Sequence, residues 1–120
     1  MENKLYQIFM YINGNEYGPG SYRVTITTYD IVNKNNQTYE IKRSLLEHYL
    51  HHKNIMKVEA CKKNENFSNI GFKVFCFPAD KDLAISKLSE SINELILKFL
   101  AEKDSAIDAF NKPPLIEVYN

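Results

Sequence analysis

Tryptophan is absent from this chain of 120 residues, and arginine, cysteine, glycine and proline are scarce. Each scarcity closes off a class of explanation. Only Arg23 and Arg43 carry a guanidinium; every other cation is a lysine. The planar fork that reads phosphates and base edges is therefore nearly missing. Fifteen cations balance fifteen anions, so no net field draws the chain to a phosphate backbone or an anionic lipid surface. Nucleic-acid binding is disfavoured on both grounds. Two cysteines, Cys61 and Cys76, supply no disulfide framework and match no paired zinc-ligand spacing. No stretch approaches the roughly 18 consecutive apolar residues that a membrane span needs. The beginning of the chain also fails as a signal peptide, because Glu2 spoils the basic region and Gln7 interrupts the short apolar run. The expectation is a cytoplasmic protein with no membrane contact, in which Asn36-Gln37-Thr38 and Asn66-Phe67-Ser68 are chance glycosylation sequons.

What is present is ordinary material for a core. Hydrophobic residues make up 44% of the chain and charged residues 25%, which excludes wholesale disorder. The length suits one domain spanning 1–120.

The pattern along the chain predicts an α+β fold. "KLYQIFMYI" (4–12) is rich in β-branched and aromatic residues and stops at the glycine-containing "NGNEYGPG". "YRVTITTYDIV" (22–32) reads as a second strand whose apolar positions change phase between Ile26 and Tyr29. A one-residue bulge near Thr27–Thr28 would produce that change. "NKNN" is a turn, and "QTYEIKR" (37–43) a third strand in hairpin with the second. Ser44 followed by Glu47 has the spacing of a capping box, which predicts a short helix over 45–53 with Leu45, Leu46, Tyr49 and Leu50 on one side. "NIMKVEACK" (54–62) alternates as a fourth strand and "IGFKVFCF" (70–77) reads as a fifth, ended by Pro78. Asp80 can then cap a long helix of about 22 residues, in which Leu88, Ile92, Leu95, Ile96 and Phe99 recur at steps of three and four. "NKPP" ends it, and "LIEVY" (115–119) can form a last strand. Short connections between most strands favour a largely antiparallel sheet of about five strands, in the order β-β-β-α-β-β-α.

Signals of chemistry are weak. His48, His51 and His52 fall within five positions. On a helix, His48 and His52 would stack on one face and offer two imidazoles to a metal, but no third ligand or H-E-x-x-H base accompanies them. They stand as weak metal candidates, and a solvated helix face explains them better. No cofactor is implied. The loop carrying Glu16 and Tyr17 has glycines but lacks the Lys-Ser/Thr of a phosphate loop, so it reads as a turn that can offer a contact surface. Asp30 is the one acid in its strand, beside the expected bulge. Cys61 takes the polar side of its strand and Cys76 the apolar side of the next, so the two thiols should point to opposite faces.

The most informative feature is apolar residues on both sides of two strands. The first strand has Tyr6, Ile8, Met10 and Ile12 on one face and Leu5, Phe9 and Tyr11 on the other. The fifth has Ile70, Phe72, Val74 and Cys76 against Phe75 and Phe77. A strand with one wet face alternates instead, so both belong at the centre of the sheet. The long helix can cover one face only. Each large side chain buried is worth about 1.5–3 kcal/mol, so the other face needs the short helix or another chain. The resulting expectation is a small protein-interaction module of the inhibitor, immunity or accessory-subunit type, binding a protein partner or a second copy as a homodimer. Leu5, Phe9, Tyr11, Phe75, Phe77, Glu16 and Tyr17 would form its interface. The alternative is a small enzyme or ligand binder with a pocket between sheet and long helix, where His48, His52, Asp30, Tyr29 or Glu16 would supply the polar groups.

Overall fold

The computed structural model describes residues 3–13, 21–63, 69–114 and 116. Six strands are described: β1 (Lys4–Asn13), β2 (Ser21–Lys34), β3 (Thr38–Arg43), β4 (Leu46–His51), β5 (Glu59–Lys63) and β6 (Asn69–Cys76). They form one curled antiparallel sheet in the order β4-β3-β2-β1-β6-β5, followed by a single long helix, α1 (Lys81–Phe110). The α+β class holds, and β1 and β6 are interior strands, as their two-sided apolar pattern requires.

The expected helix over 45–53 is instead β4. Ser44 adopts a left-handed φ of 55°, and Arg43 pairs with Leu46 across it, leaving a two-residue turn of Ser44 and Leu45. A positive φ in such a turn matches the twist of the flanking strands, which favours a hairpin. The capping box does not form; Glu47 lies directly across from Lys42 and makes an ion pair with it at 3.7 Å. Over so few residues the spacing of Leu46, Tyr49 and Leu50 is compatible with either period, and pairing with β3 decides it.

The bulge is also displaced. The β1–β2 register runs unbroken from Lys4↔Asp30 to Asn13↔Ser21, so nothing is inserted at Thr27–Thr28. The irregularity lies between Ile31 and Asn33, in the pairing with β3. The change of apolar phase in β2 is real but has another origin: Tyr29 and Ile31 belong to one face, Val24 and Ile26 to the other. The expected fourth strand begins only at Glu59, because 52–54 form a 3-10 turn and Met56 takes a φ of 64°. Of the expected last strand, Leu115 and 117–119 lie outside the described residues, and Ile116 is exposed with no strand assigned.

Two cores result. On one face Ile8, Met10, Ile70, Val74 and Cys76 pack under Ala84, Leu88 and Ile92 of α1. On the other, Leu5, Tyr29, Ile41 and Leu50 form a second cluster with Phe75 and Phe77 packed against it. The sheet's curl makes this possible. β3 and β4 fold over the second face, the 3-10 turn His52–Asn54 follows, and Ile55 then joins β6 through a parallel bridge to Phe75. The Met56 N–H donates to the Phe75 carbonyl at 2.7 Å, which pins the crossing. Of the two covers the sequence allows for that face, the segment after Ser44 supplies part, as strand and turn and not as a helix.

α1 starts where the sequence places it, with Asp80 at the N-cap, although the Asp80 side chain makes no capping hydrogen bond. It then continues through "DSAIDAF" to 30 residues, about 45 Å. That outruns the sheet. The radius of gyration is 20.3 Å and the long axis 69 Å, against about 14 Å of radius for a compact chain of this length.

Candidate functional site

On the second face, among the described residues, the residues of β3 and β4 pack over the Leu5–Tyr29 half and not over the half nearer the Asn13 end of β1. Alternation along β1 sends Gln7, Phe9 and Tyr11 there; Lys73 and Phe75 come from β6 and Tyr29 from β2. The Phe9 and Tyr11 rings lie parallel with centroids 5.7 Å apart, and both residues are half-buried. Next to them a hollow of about 240 Å³ is lined by Gln7, Tyr29, His48, Lys73 and Phe75. The Tyr29 hydroxyl donates to Gln7 Oε1 at 3.1 Å, and the His48 ring meets the Tyr29 ring edge-on at 5.9 Å. The hollow is aromatic with a few polar groups on its wall.

A larger groove, of about 530 Å³, opens beside the β2 bulge. Ile31, Val32, Tyr39 and Phe77 make its apolar wall, and Asn3 and Lys34 its rim. The bulge turns Val32 outward, and Lys34 Nζ stands 5.6 Å above the Tyr39 ring. This site arises from the bulge itself, at a position the sequence pattern does not mark.

The residues singled out from the sequence separate into three groups. Leu5 is fully buried in the chain's own second core and offers no surface. Phe75 and Phe77 are half-buried in the same core, whereas Phe9 and Tyr11 lie on the half nearer Asn13. Glu16 and Tyr17 lie outside the described residues. A partner would have only part of the second face to cover, because Leu5, Tyr29, Ile41 and Leu50 close the rest within the chain.

His48, His52 and Asp30 are not brought together. A shared metal would need the helical spacing, and β4 removes it: His48 meets Tyr29 edge-on, while the His52 ring lies tilted against Tyr39 with centroids 4.3 Å apart. His52 Nε2 is enclosed and has no hydrogen-bond partner among the described residues. His51 Nδ1 accepts from the Lys53 N–H at 3.3 Å, so it serves the turn. Asp30 sits on the helix-side face, paired with Lys4 across the ladder. Among the described residues no three His, Cys, Asp or Glu side chains converge in a way that could hold a metal ion.

The cysteines lie apart. Cys76 is fully buried under the helix, and burial, reinforced by the nearby Asp80 carboxylate, pushes its thiol up to about 11. Cys61 is exposed at the β5 bulge and hydrogen-bonded to Tyr11, whose hydroxyl is shifted upward by burial first and by Cys61 second. A water-soluble disulfide reagent at pH 8 should therefore label Cys61 alone in the folded chain and both thiols after denaturation. Because the fold favours the protonated Cys76 thiol, its contribution to stability is complete below pH 9 and lost as pH rises toward about 11. Urea titrations at pH 8 and 11, with Cys76→Ala as reference, would measure that loss; a loss of equal size in the reference would refute the assignment.

Two further sets of apolar residues escaped the sequence reading. Leu97, Leu100 and Ile107 of α1 are 56%, 45% and 50% exposed. The signal was there, since Leu97 and Leu100 fall off the core-facing stripe of Leu88, Ile92 and Leu95. Val24 and Ile26 of β2 are exposed on the helix-side face. No helix of the described residues is long and apolar enough to cross a membrane. No protein-family model matches the chain, and no curated protein or solved structure shows significant similarity to it.

Proposed function

We propose that this chain is a protein-interaction module, acting as an inhibitor, immunity-type factor or accessory subunit does, by presenting surface to a protein partner in the cytoplasm. The observation that carries this reading is the end of α1. Isolated helices shorter than about 12–15 residues are marginal in water, and helices in proteins are held mainly by packing one face. Residues 101–109 are all exposed, so the chain's own sheet gives this end no such support. Nevertheless Ile107 lies within it, and Leu97 and Leu100, also exposed, lie in the turn just before it. An apolar stripe of that kind is explained by a partner that packs on it, with the Phe9–Tyr11 half of the second face as a second contact. The test uses a Leu97→Lys, Leu100→Lys, Ile107→Lys variant. A partner recovered with the wild-type chain and then purified should bind the variant at least about 100-fold more weakly, with thermal stability unchanged. Equal binding by the variant refutes the arm as the docking element.

One observation favours a second reading, that of a small-ligand binder. The groove beside the bulge lies within the roughly 300–1,000 Å³ range of ligand sites and has an apolar wall with polar groups at its rim. A fragment screen followed by ligand-detected NMR, with Tyr39→Ala as control, separates the two: saturable binding lost in the control would support it.

A further inference from the structure

The outer edge of β2 is the least defended strand edge of the sheet. β3 pairs with β2 only between Asp30 and Lys34. Over 21–29, β2 has β1 on one side and, among the described residues, no strand on the other. The direction of its main-chain groups follows from one bond. The Ile31 N–H donates to the Asn3 carbonyl at 2.9 Å, and Asn3 stands opposite Ile31 when the β1–β2 register is extended by one residue. In an antiparallel ladder such hydrogen-bonded pairs occur at every second residue. Arg23, Thr25 and Thr27 therefore turn their main-chain groups toward β1. Tyr22, Val24, Ile26 and Thr28 turn theirs to the open edge.

Side chains reinforce the point. Val24 and Ile26 are 36% and 42% exposed, while α1 packs mainly on β6 and β1. Sheets usually blunt their edges with lysine, proline, bulges or short strands. The edge strand β5 has Lys62 and Lys63 and a bulge between Ala60 and Lys62. The other, β4, is six residues long and includes Glu47 and two histidines. "SYRVTITTY", the open stretch of β2, has no lysine, no proline and an unbroken register.

We infer that this edge pairs antiparallel with the same edge of a second copy of the chain, across a twofold axis at Thr25. That register has a specific virtue. It sets Val24 opposite Ile26 of the other copy and Tyr22 opposite Thr28, so every outward-directed residue meets another one. Each such pair exchanges two hydrogen bonds, giving about eight in all. It also joins Val24 and Ile26 of both copies into one apolar patch, at the spacing where cross-strand aliphatic pairs interact. The contact is self-complementary, as a twofold interface must be, and it merges two sheets into one. A single strand pair falls short of the roughly 1,200 Å² that stable interfaces bury, so the association is reversible. The inference extends the interaction reading but uses a surface separate from the end of α1, so either can fail alone.

Light scattering and sedimentation over a concentration series of the full chain test it. Wild type should pass from monomer to dimer. Ile26→Lys places two like charges beside the axis, and Val24→Pro removes an N–H that the β1 ladder does not use. Both should weaken dimerisation at least about tenfold with the fold intact. Leu100→Lys should leave it unchanged. Amide exchange on wild type supplies a reading independent of any variant: Val24, Ile26 and Thr28 should be slow in the dimer and fast on dilution. A wild type monomeric at every concentration overturns the inference and leaves the module reading for a foreign partner standing. A dimer lost in Leu100→Lys but kept in Ile26→Lys also overturns it, in favour of the helix.

Discussion

Leu88→Ala should lower the unfolding free energy by about 2–5 kcal/mol, the range for truncating a fully buried leucine. Leu88 is the central residue of α1 on the helix-side core, completely enclosed with Ile8, Met10, Val74 and Ile92 in the same cluster. Removing its branch loses the transfer energy and leaves a cavity that the interior strands β1 and β6 cannot close, since each is fixed by neighbours on both sides. Domains of this size are stable by only about 5–15 kcal/mol, so the loss is a large share of the total. Leu97→Ala, nine residues on and more than half exposed, should change stability by no more than about 0.5 kcal/mol in the monomer. Urea unfolding followed by circular dichroism measures both. Comparable losses at the two positions would mean that the end of α1 packs on its own chain, against the division drawn here.

The second large effect is expected at Ile41, which has no exposed surface and anchors the core under β3 and β4. Ile41→Asp forfeits its apolar burial and places a carboxylate among Leu5, Tyr29 and Leu50, with a cost above about 4 kcal/mol. Because burial raises the pKa of the introduced carboxyl, the protonated form suits the fold. The deficit should be smallest below the unfolded value of about 3.9 and should grow as pH rises through the raised one. The damage should also be local. The second core is held by the curl of β3–β4 and the crossing at Ile55, whereas β1, β6 and α1 share a separate cluster. Amide exchange should therefore show protection lost over 38–51 and retained in β6 and α1. Uniform loss across the whole sheet would show that the two clusters open as one unit.

Much of this arrangement was legible in advance. The helix-side core residues Leu88 and Ile92 follow from steps of three and four, and the interior positions of β1 and β6 follow from apolar residues on both faces. The short segment after Ser44 was not legible, because six residues carry too few repeats to separate a period of two from one of 3.6. There a hairpin partner settled the matter. The histidine cluster misled for the same reason: its apparent geometry depended on the helix. The bulge expected at Thr27–Thr28 lies instead between Ile31 and Asn33, because the change of apolar phase reflects the use of opposite faces of an unbroken strand and not an inserted residue. The groove at Ile31–Asn33 has no signature in the chain, being made by residues from β2, β3 and the end of β6 that meet only after folding.

The amino-acid order by itself determined the class of fold, the interior places of β1 and β6 and the buried stripe of the long helix, because periodicity is a local property and burial rewards it directly. Only the tertiary structure decided how the second face is covered, where the outer edge of β2 has no partner among the described strands and how far α1 extends past the sheet. Those outcomes depend on which strands pair and over what length, and hydrogen-bond partners distant in the chain leave no periodic trace in either segment.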